Sequence, residues 1–213
     1  VAVTGVQTCA LPILREAYPP PAFSALMNLL STHDQPRALH HFGEDRDLPQ
    51  AKQRLRLAVL FQMTYPGSPT IYYGDEVGLG GGEDPFNRAP YPWADEGGQP
   101  DTALEDEFRR LIALRRAHPV LSIGTLLAPL QVDEHALVLA RRLGDGAAAT
   151  WAVTGYSNAD APRTLRITLP AGMPANARLT ELLTGAEVVP VNGVLTLTLP
   201  ARHGALLVQQ AQR

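Results

Sequence analysis

The chain has 213 residues, enough for one large domain or two small ones at the usual size of about 100–200 residues each. Hydrophobic residues make up 45% of it, as a buried core requires, and a formal net charge of -3 argues against a nucleic-acid or anionic-membrane surface. No apolar run approaches the roughly 20 residues that cross a bilayer as a helix, so no membrane partner is expected.

The first thirteen residues stand apart. Val3-Thr4-Gly5-Val6-Gln7-Thr8-Cys9-Ala10-Leu11-Pro12-Ile13 resembles the in-frame translation of a sequencing-adapter oligonucleotide. A signal peptide is the competing reading, but it needs a basic start and an unbroken apolar stretch, and here Gln7, Thr8 and Pro12 interrupt. Residues 1–13 are therefore expected to be an artefact, with the native sequence beginning near Leu14 and its upstream part lost. Cys9 is the single cysteine, so the remainder forms no disulfide, which is compatible with a cytoplasmic location.

Ala25–Leu30 is short and mostly apolar, as a strand covered on both faces would be. The polar stretch Ser31–Arg37 follows. Leu48–Met63 carries apolar residues at helical spacing with Lys52, Arg54 and Arg56 between them, and Pro66-Gly67 stops it. Thr70–Tyr73 reads as a second buried strand, β-branched and aromatic. A glycine- and proline-rich loop spans Gly74–Pro100, and a second helix runs from about Ala103 to Ala117, with Leu104, Phe108, Leu111, Ile112 and Leu114 at helical spacing before His118-Pro119.

The texture changes after Pro119. Short segments at 121–130, 136–142, 147–155, 163–169, 178–183, 187–191, 194–199 and 205–210 are separated by turn signals such as Gly144-Asp145-Gly146. Asn192-Gly193 between Val191 and Val194 is a two-residue hairpin signal. These segments predict an antiparallel sandwich and a domain boundary near residue 120. The earlier strand–helix–strand order predicts a parallel pair. Two strands and two helices leave the edges and faces of a parallel sheet bare. The expected fold class is therefore α/β: the last two βα units of a (β/α)8 TIM barrel over residues 14–120, cut off at the N-terminal side, then an all-β antiparallel sandwich over 121–213.

Two constellations carry chemistry. His33-Asp34 falls at the C-terminal end of a predicted barrel strand, the face where such folds place active sites. An imidazole and a carboxylate there can grip sugar hydroxyls and favour positive charge in a transition state. The plainer reading makes Asp34 a helix cap ahead of Pro36. The second runs from Gly67 through Asp75 and Glu76 to Asp84, Arg88 and Trp93. Asp84 and Arg88 offer a charged pair for neutral hydroxyls, Tyr72, Tyr73 and Trp93 are rings for stacking or for the core, and Asp75 and Glu76 are read as structural.

Met27-Asn28-Leu29-Leu30-Ser31-Thr32-His33-Asp34-Gln35-Pro36-Arg37 resembles the fourth signature region of glycoside hydrolase family 13, the α-amylase family, in its neopullulanase, cyclomaltodextrinase and maltogenic amylase branch. Gly67–Glu76, Asp84-Pro85-Phe86-Asn87-Arg88 to Trp93, and the helix ending Leu111–Pro119 resemble later segments of the same family, and the likeness runs from about residue 25 to 210. Thr32 departs from the Asn or Ser common before His-Asp, which leaves substrate preference open. The resemblance implies that Asp34 is the transition-state-stabilising carboxylate and that His33 bonds the sugar at the cleaved position. Asp84 and Arg88 would contact the neighbouring glucose. It also implies a retaining hydrolase of α-1,4 or α-1,6 glucosidic bonds in maltodextrins, cyclodextrins or starch, with no cofactor and no metal, whose intact form is able to dimerise through an N-terminal domain. The aspartate nucleophile and glutamate acid/base belong to the fourth and fifth strands, which this stretch does not contain, so the chain alone is expected to be inactive. A transglycosylase or isomerase of the same family and a non-catalytic carbohydrate-binding module are the alternative readings.

Overall fold

The computed structural model describes residues 16–209. Residues 1–13, expected to be adapter-derived, and Cys9 among them, lie outside the described part.

After a short helix α1 (Pro20–Ser24), strand β1 (Met27–Leu29) pairs in parallel with β2 (Ser68–Thr70), Met27 opposite Ser68 and Leu29 opposite Thr70. Helices α2 (Ala38–His41) and α3 (Leu48–Thr64) form the crossover between them. Asp47 caps α3, its side chain accepting from Gln50 N at 2.9 Å, and Pro in the first turn suits the unpaired end. From Leu57 to Thr64 every residue of α3 is buried, because this half of the helix lies between the parallel pair and the β-rich layer. Gln62 Nε2 donates to both Asn28 O and Thr70 O, at 2.8 and 3.0 Å, which ties the helix to both strands. The chain enters β2 through Gly67 at φ 120°, where a Cβ would stand 2.5 Å from Leu26 O, a position that only glycine tolerates.

The second strand therefore begins two residues before the predicted Thr70–Tyr73, and Tyr72 and Tyr73 lie beyond it. Their rings cover the guanidinium of Arg37 instead of continuing the sheet. Helix α4 (Thr102–Ala117) is capped by Asp101 and buries one stripe, Leu104, Phe108, Leu111 and Arg115. Arg115 donates to Met63 O at 2.7 Å, Tyr65 O at 3.0 Å and Gly67 O at 2.7 Å, satisfying carbonyls at the C-terminal end of α3.

Leu121–Leu130, predicted as one strand, divides into helix α5 (Pro119–Ile123), which Pro119 starts, and strand β3 (Thr125–Leu126). Strands β4 (Gln131–Val132), β5 (Ala136–Leu143), β6 (Thr150–Ser157), β7 (Arg163–Thr168), β8 (Leu179–Glu181), β9 (Glu187–Val188), β10 (Val194–Leu199) and β11 (Gly204–Gln209) follow. They form a seven-stranded sheet in the order β3-β5-β6-β11-β8-β9, with β4 also on β5, and a two-stranded sheet of β7 and β10, all paired antiparallel. Asn192 and Gly193 adopt φ 52° and 74° in the tight turn between Val191 and Val194, as the sequence signal predicts.

The large sheet is buried on both faces by strict alternation. Ala136, Val138, Ala140, Trp151, Val153, Ala205 and Leu207 pack with Leu165, Ile167, Leu195 and Leu197 of the small sheet. Leu137, Leu139, Ala152, Tyr156, Leu206 and Val208 face the other way and join the core built by α3, α4 and α5. Arg141, on the same strand, is fully buried and donates to the carbonyls of Thr64, Leu121, Ser122 and Gly124; burial lowers its pKa to about 10. Among the described residues no helix is long and apolar enough to cross a membrane.

Candidate active site

The loop that leaves β1 carries His33 and Asp34 outward. Their side chains are 67% and 75% exposed, and His33 Nε2 stands 3.2 Å from Asp34 Oδ1. Asp34 does not cap the helix that follows: Arg37 is the residue before α2, and no side chain caps that helix. The backbone N–H of Asp34 is held by the Thr32 hydroxyl at 3.2 Å. The carboxylate is left open to solvent beside an imidazole, so both groups keep free hydrogen-bonding capacity toward a ligand.

The loop behind β2 comes back to this pair. Asn87, 2% exposed, donates through Nδ2 to His33 O at 2.9 Å and Gln35 O at 3.1 Å. That one amide fixes the 84–88 turn against the His33–Asp34 loop across more than fifty residues of sequence. Asp84 and Arg88 flank the turn on its exposed side and form an ion pair with each other. The structure thus brings all four predicted residues, His33, Asp34, Asp84 and Arg88, to one rim. Asn87 lies within the Asp84–Arg88 motif but carries no role in the sequence expectations; its signal is a buried amide inside an otherwise exposed turn.

Arg37 is the second residue whose role the pattern did not disclose. It is fully buried and donates through Nη1 to Tyr73 O at 2.7 Å and Asp75 Oδ1 at 3.3 Å. Its guanidinium lies 4.5 and 4.8 Å from the centres of the Tyr72 and Tyr73 rings, a cation–π stack, and its own N–H reaches Gly81 O at 2.9 Å. Burial pushes the carboxyl of Asp75 up to about 6, against the opposing pull of the Ser31 hydroxyl and Arg37. Asp75 is structural, as expected. Glu44 adds a further tie, accepting from Gly81 N at 2.9 Å while 3.2 Å from His40 Nδ1.

A cavity of about 540 Å³ lies elsewhere, between α3, α4 and the sandwich, lined by Leu60, Leu111, Leu183, Leu197 and Arg110. None of the four rim residues lines it, and its walls carry no Phe, Tyr or Trp, so the open rim rather than this cavity is the candidate site. Trp151 and Tyr156, the aromatic side chains after residue 120 that offer themselves as sugar platforms, are both buried, 1% and 2% exposed. Among the described residues no group of three or more His, Cys, Asp or Glu side chains is placed to hold a metal ion.

The described residues thus hold a helix-crossed parallel pair with a His-Asp rim at its C-terminal end, the end at which barrel folds place their active sites, followed by antiparallel sheets. The family model for the alpha-amylase catalytic domain matches residues 22–116. The chain is 33% identical over 210 residues to an amylopullulanase of Thermoanaerobacterium saccharolyticum, covering 91% of this chain and 16% of that protein. It is 35% identical over 187 residues to a cyclomaltodextrinase of Geobacillus thermopakistaniensis strain MAS1, covering 86% of this chain and 29% of that one. In fold it is similar to the solved α-amylase of Geobacillus thermoleovorans, with a TM-score of 0.81 at 22% identity, over 97% of this chain and 43% of that one. Residues 22–116 are thus similar to the alpha-amylase catalytic domain, and the names of both relatives agree with that match. The chain spans 16% and 29% of the lengths of those two curated relatives.

Proposed function

We propose that these residues supply the supporting half of the cleft of a retaining α-glucan hydrolase acting on α-1,4 or α-1,6 bonds of maltodextrins, cyclodextrins or starch. The observation that carries this is the rim itself: an exposed His33–Asp34 pair with the Asp84–Arg88 turn anchored to it through Asn87. Strands β1 and β2 take the place of the last two strands of a (β/α)8 barrel in this reading, residues 14–120 its final βα units, and residues 121–213 a sandwich domain behind it.

The chemistry divides accordingly. Asp34 presents negative charge where an oxocarbenium-like state develops, and His33 bonds the hydroxyls of the same sugar. Asp84 and Arg88 take the adjoining glucose. A retaining reaction needs two further carboxyl groups about 5–5.5 Å apart, which family resemblance assigns to earlier strands. The chain by itself then releases no reducing sugar from maltodextrin or cyclodextrin. In the enzyme that contains those strands, Asp34→Asn lowers turnover by about 10²–10³ while the fold persists. A turnover near that of the unaltered enzyme, with normal thermal unfolding, overturns the assignment.

A further inference from the structure

One aromatic ring at this rim is exposed without a packing partner. Phe86 is 71% exposed, although the next residue, Asn87, is buried. The turn beneath it is closed by three backbone bonds: Phe86 N donates to Glu83 O at 2.9 Å, Arg88 N to Pro85 O at 3.0 Å and Ala89 N to Phe86 O at 3.4 Å. Its carbonyl is pressed so close to Gly81 that a Cβ there would stand 2.3 Å away. Asn87 locks the whole turn to the carbonyls of His33 and Gln35. The ring therefore stands on a backbone that cannot fold it away, although burying a phenylalanine side chain is worth about 1.5–3 kcal/mol.

The surroundings say what covers it. Asp84 and Arg88 lie two residues to either side, exposed, paired with each other and rich in hydrogen-bonding atoms. An exposed apolar ring on the same turn as a paired carboxylate and guanidinium fits a pyranose, whose C–H face stacks on aromatic carbon while its equatorial hydroxyls reach charged groups. A purely apolar partner would leave both charges desolvated at its margin.

We propose that Phe86 is a stacking contact for a glucosyl unit, so that it strengthens binding of a maltooligosaccharide long enough to reach it. The proposal deepens the functional reading above and rests on it. It makes Phe86 a specificity-determining residue whose contribution comes from ring area rather than from charge.

The test uses the 213-residue chain labelled with fluorinated phenylalanine, whose five phenylalanines give five signals. The Phe86 signal is identified by its loss in Phe86→Leu. Maltotetraose is expected to move that signal saturably. Phe86→Ala is expected to weaken maltotetraose binding about 3- to 10-fold, as removal of one ring contact does, whereas Phe86→Tyr keeps it and maltose binding changes little. If maltotetraose shifts the His33 ring protons and Arg88→Ala weakens it, while the Phe86 signal stays still and Phe86→Ala binds normally, stacking is refuted and the sugar site stands. If neither His33 nor Phe86 responds to any maltooligosaccharide at its solubility limit, both readings fall.

Discussion

Arg37 and Asp75 meet at 3.3 Å in the interior, and through them the loop that carries His33 and Asp34 is fastened to the loop that follows β2. Neither side chain is more than 4% exposed. Breaking such a pair from one side leaves a buried charge uncompensated, which costs about 3–5 kcal/mol. Arg37→Met is therefore expected to lower unfolding stability by that order. The double variant with Asp75→Asn should lose less than the two single losses added, because each partner alone is worse than neither. Urea unfolding of the four proteins measures this, and strict additivity would show that the pair carries no coupling.

The same carboxyl gives the stability a pH dependence. In the folded chain burial lifts Asp75 from its ordinary 3.8 to about 6, so the folded state holds this proton more tightly than the unfolded chain does. The associated stabilisation is fully present below pH 3.8 and is lost as the pH rises through about 6. A displacement of this size corresponds to roughly 3 kcal/mol at full development. Asp75→Asn removes it. The stability difference between the unaltered chain and Asp75→Asn should therefore shift toward the unaltered chain between pH 7 and pH 4, and a difference independent of pH over that range would contradict the burial argument.

The elements that sequence made legible are those whose signal is local. Helices α3 and α4 show their period and their terminators, and Asn192-Gly193 needs only its own two residues to turn the chain. What escaped depends on distant partners. Tyr72 and Tyr73 have the composition of a strand, yet they cover Arg37, thirty-five residues earlier, so the strand sits two residues upstream of its expected place. Leu121–Leu130 looks extended, but Pro119 starts a helical turn there, in which Leu121 is fully buried. His33, Asp34, Asp84 and Arg88 were visible as motif residues. Asn87, Arg37 and Arg115 were silent, because a polar side chain that serves carbonyls from other elements leaves no periodic trace.

Arg141 extends the same logic to the junction between the helices and the large sheet. It is a buried cation with no carboxylate among its bonded partners, holding carbonyls from the end of α3, from α5 and from Gly124. Arg141→Met leaves those acceptors without donors, at about 1–3 kcal/mol for each one that water cannot reach. Arg141→Lys keeps a charge but not the planar fork, and should recover only part of the loss. Thermal unfolding ranks the three. If lysine were to restore full stability, the fork geometry would be irrelevant and charge alone would account for the site.

Asn87 offers the sharpest separation between holding the rim together and holding the fold together. Its Nδ2 serves two carbonyls of the His33 loop, at 2.9 and 3.1 Å, and its turn is otherwise closed by its own backbone bonds. Asn87→Ala deletes the tie and leaves the cores of α3, α4 and the sandwich untouched, so the global cost should stay within about 1–3 kcal/mol. The local effect should be larger: the amides of the 83–89 turn, whose N–H groups are now closed by Glu83 O, Pro85 O and Phe86 O, should lose hydrogen-exchange protection, while those of α3 keep theirs. Asn87→Asp, which cannot donate from that position, should behave like alanine. Unchanged protection of the turn in both variants would mean that the two loops keep their places without the amide.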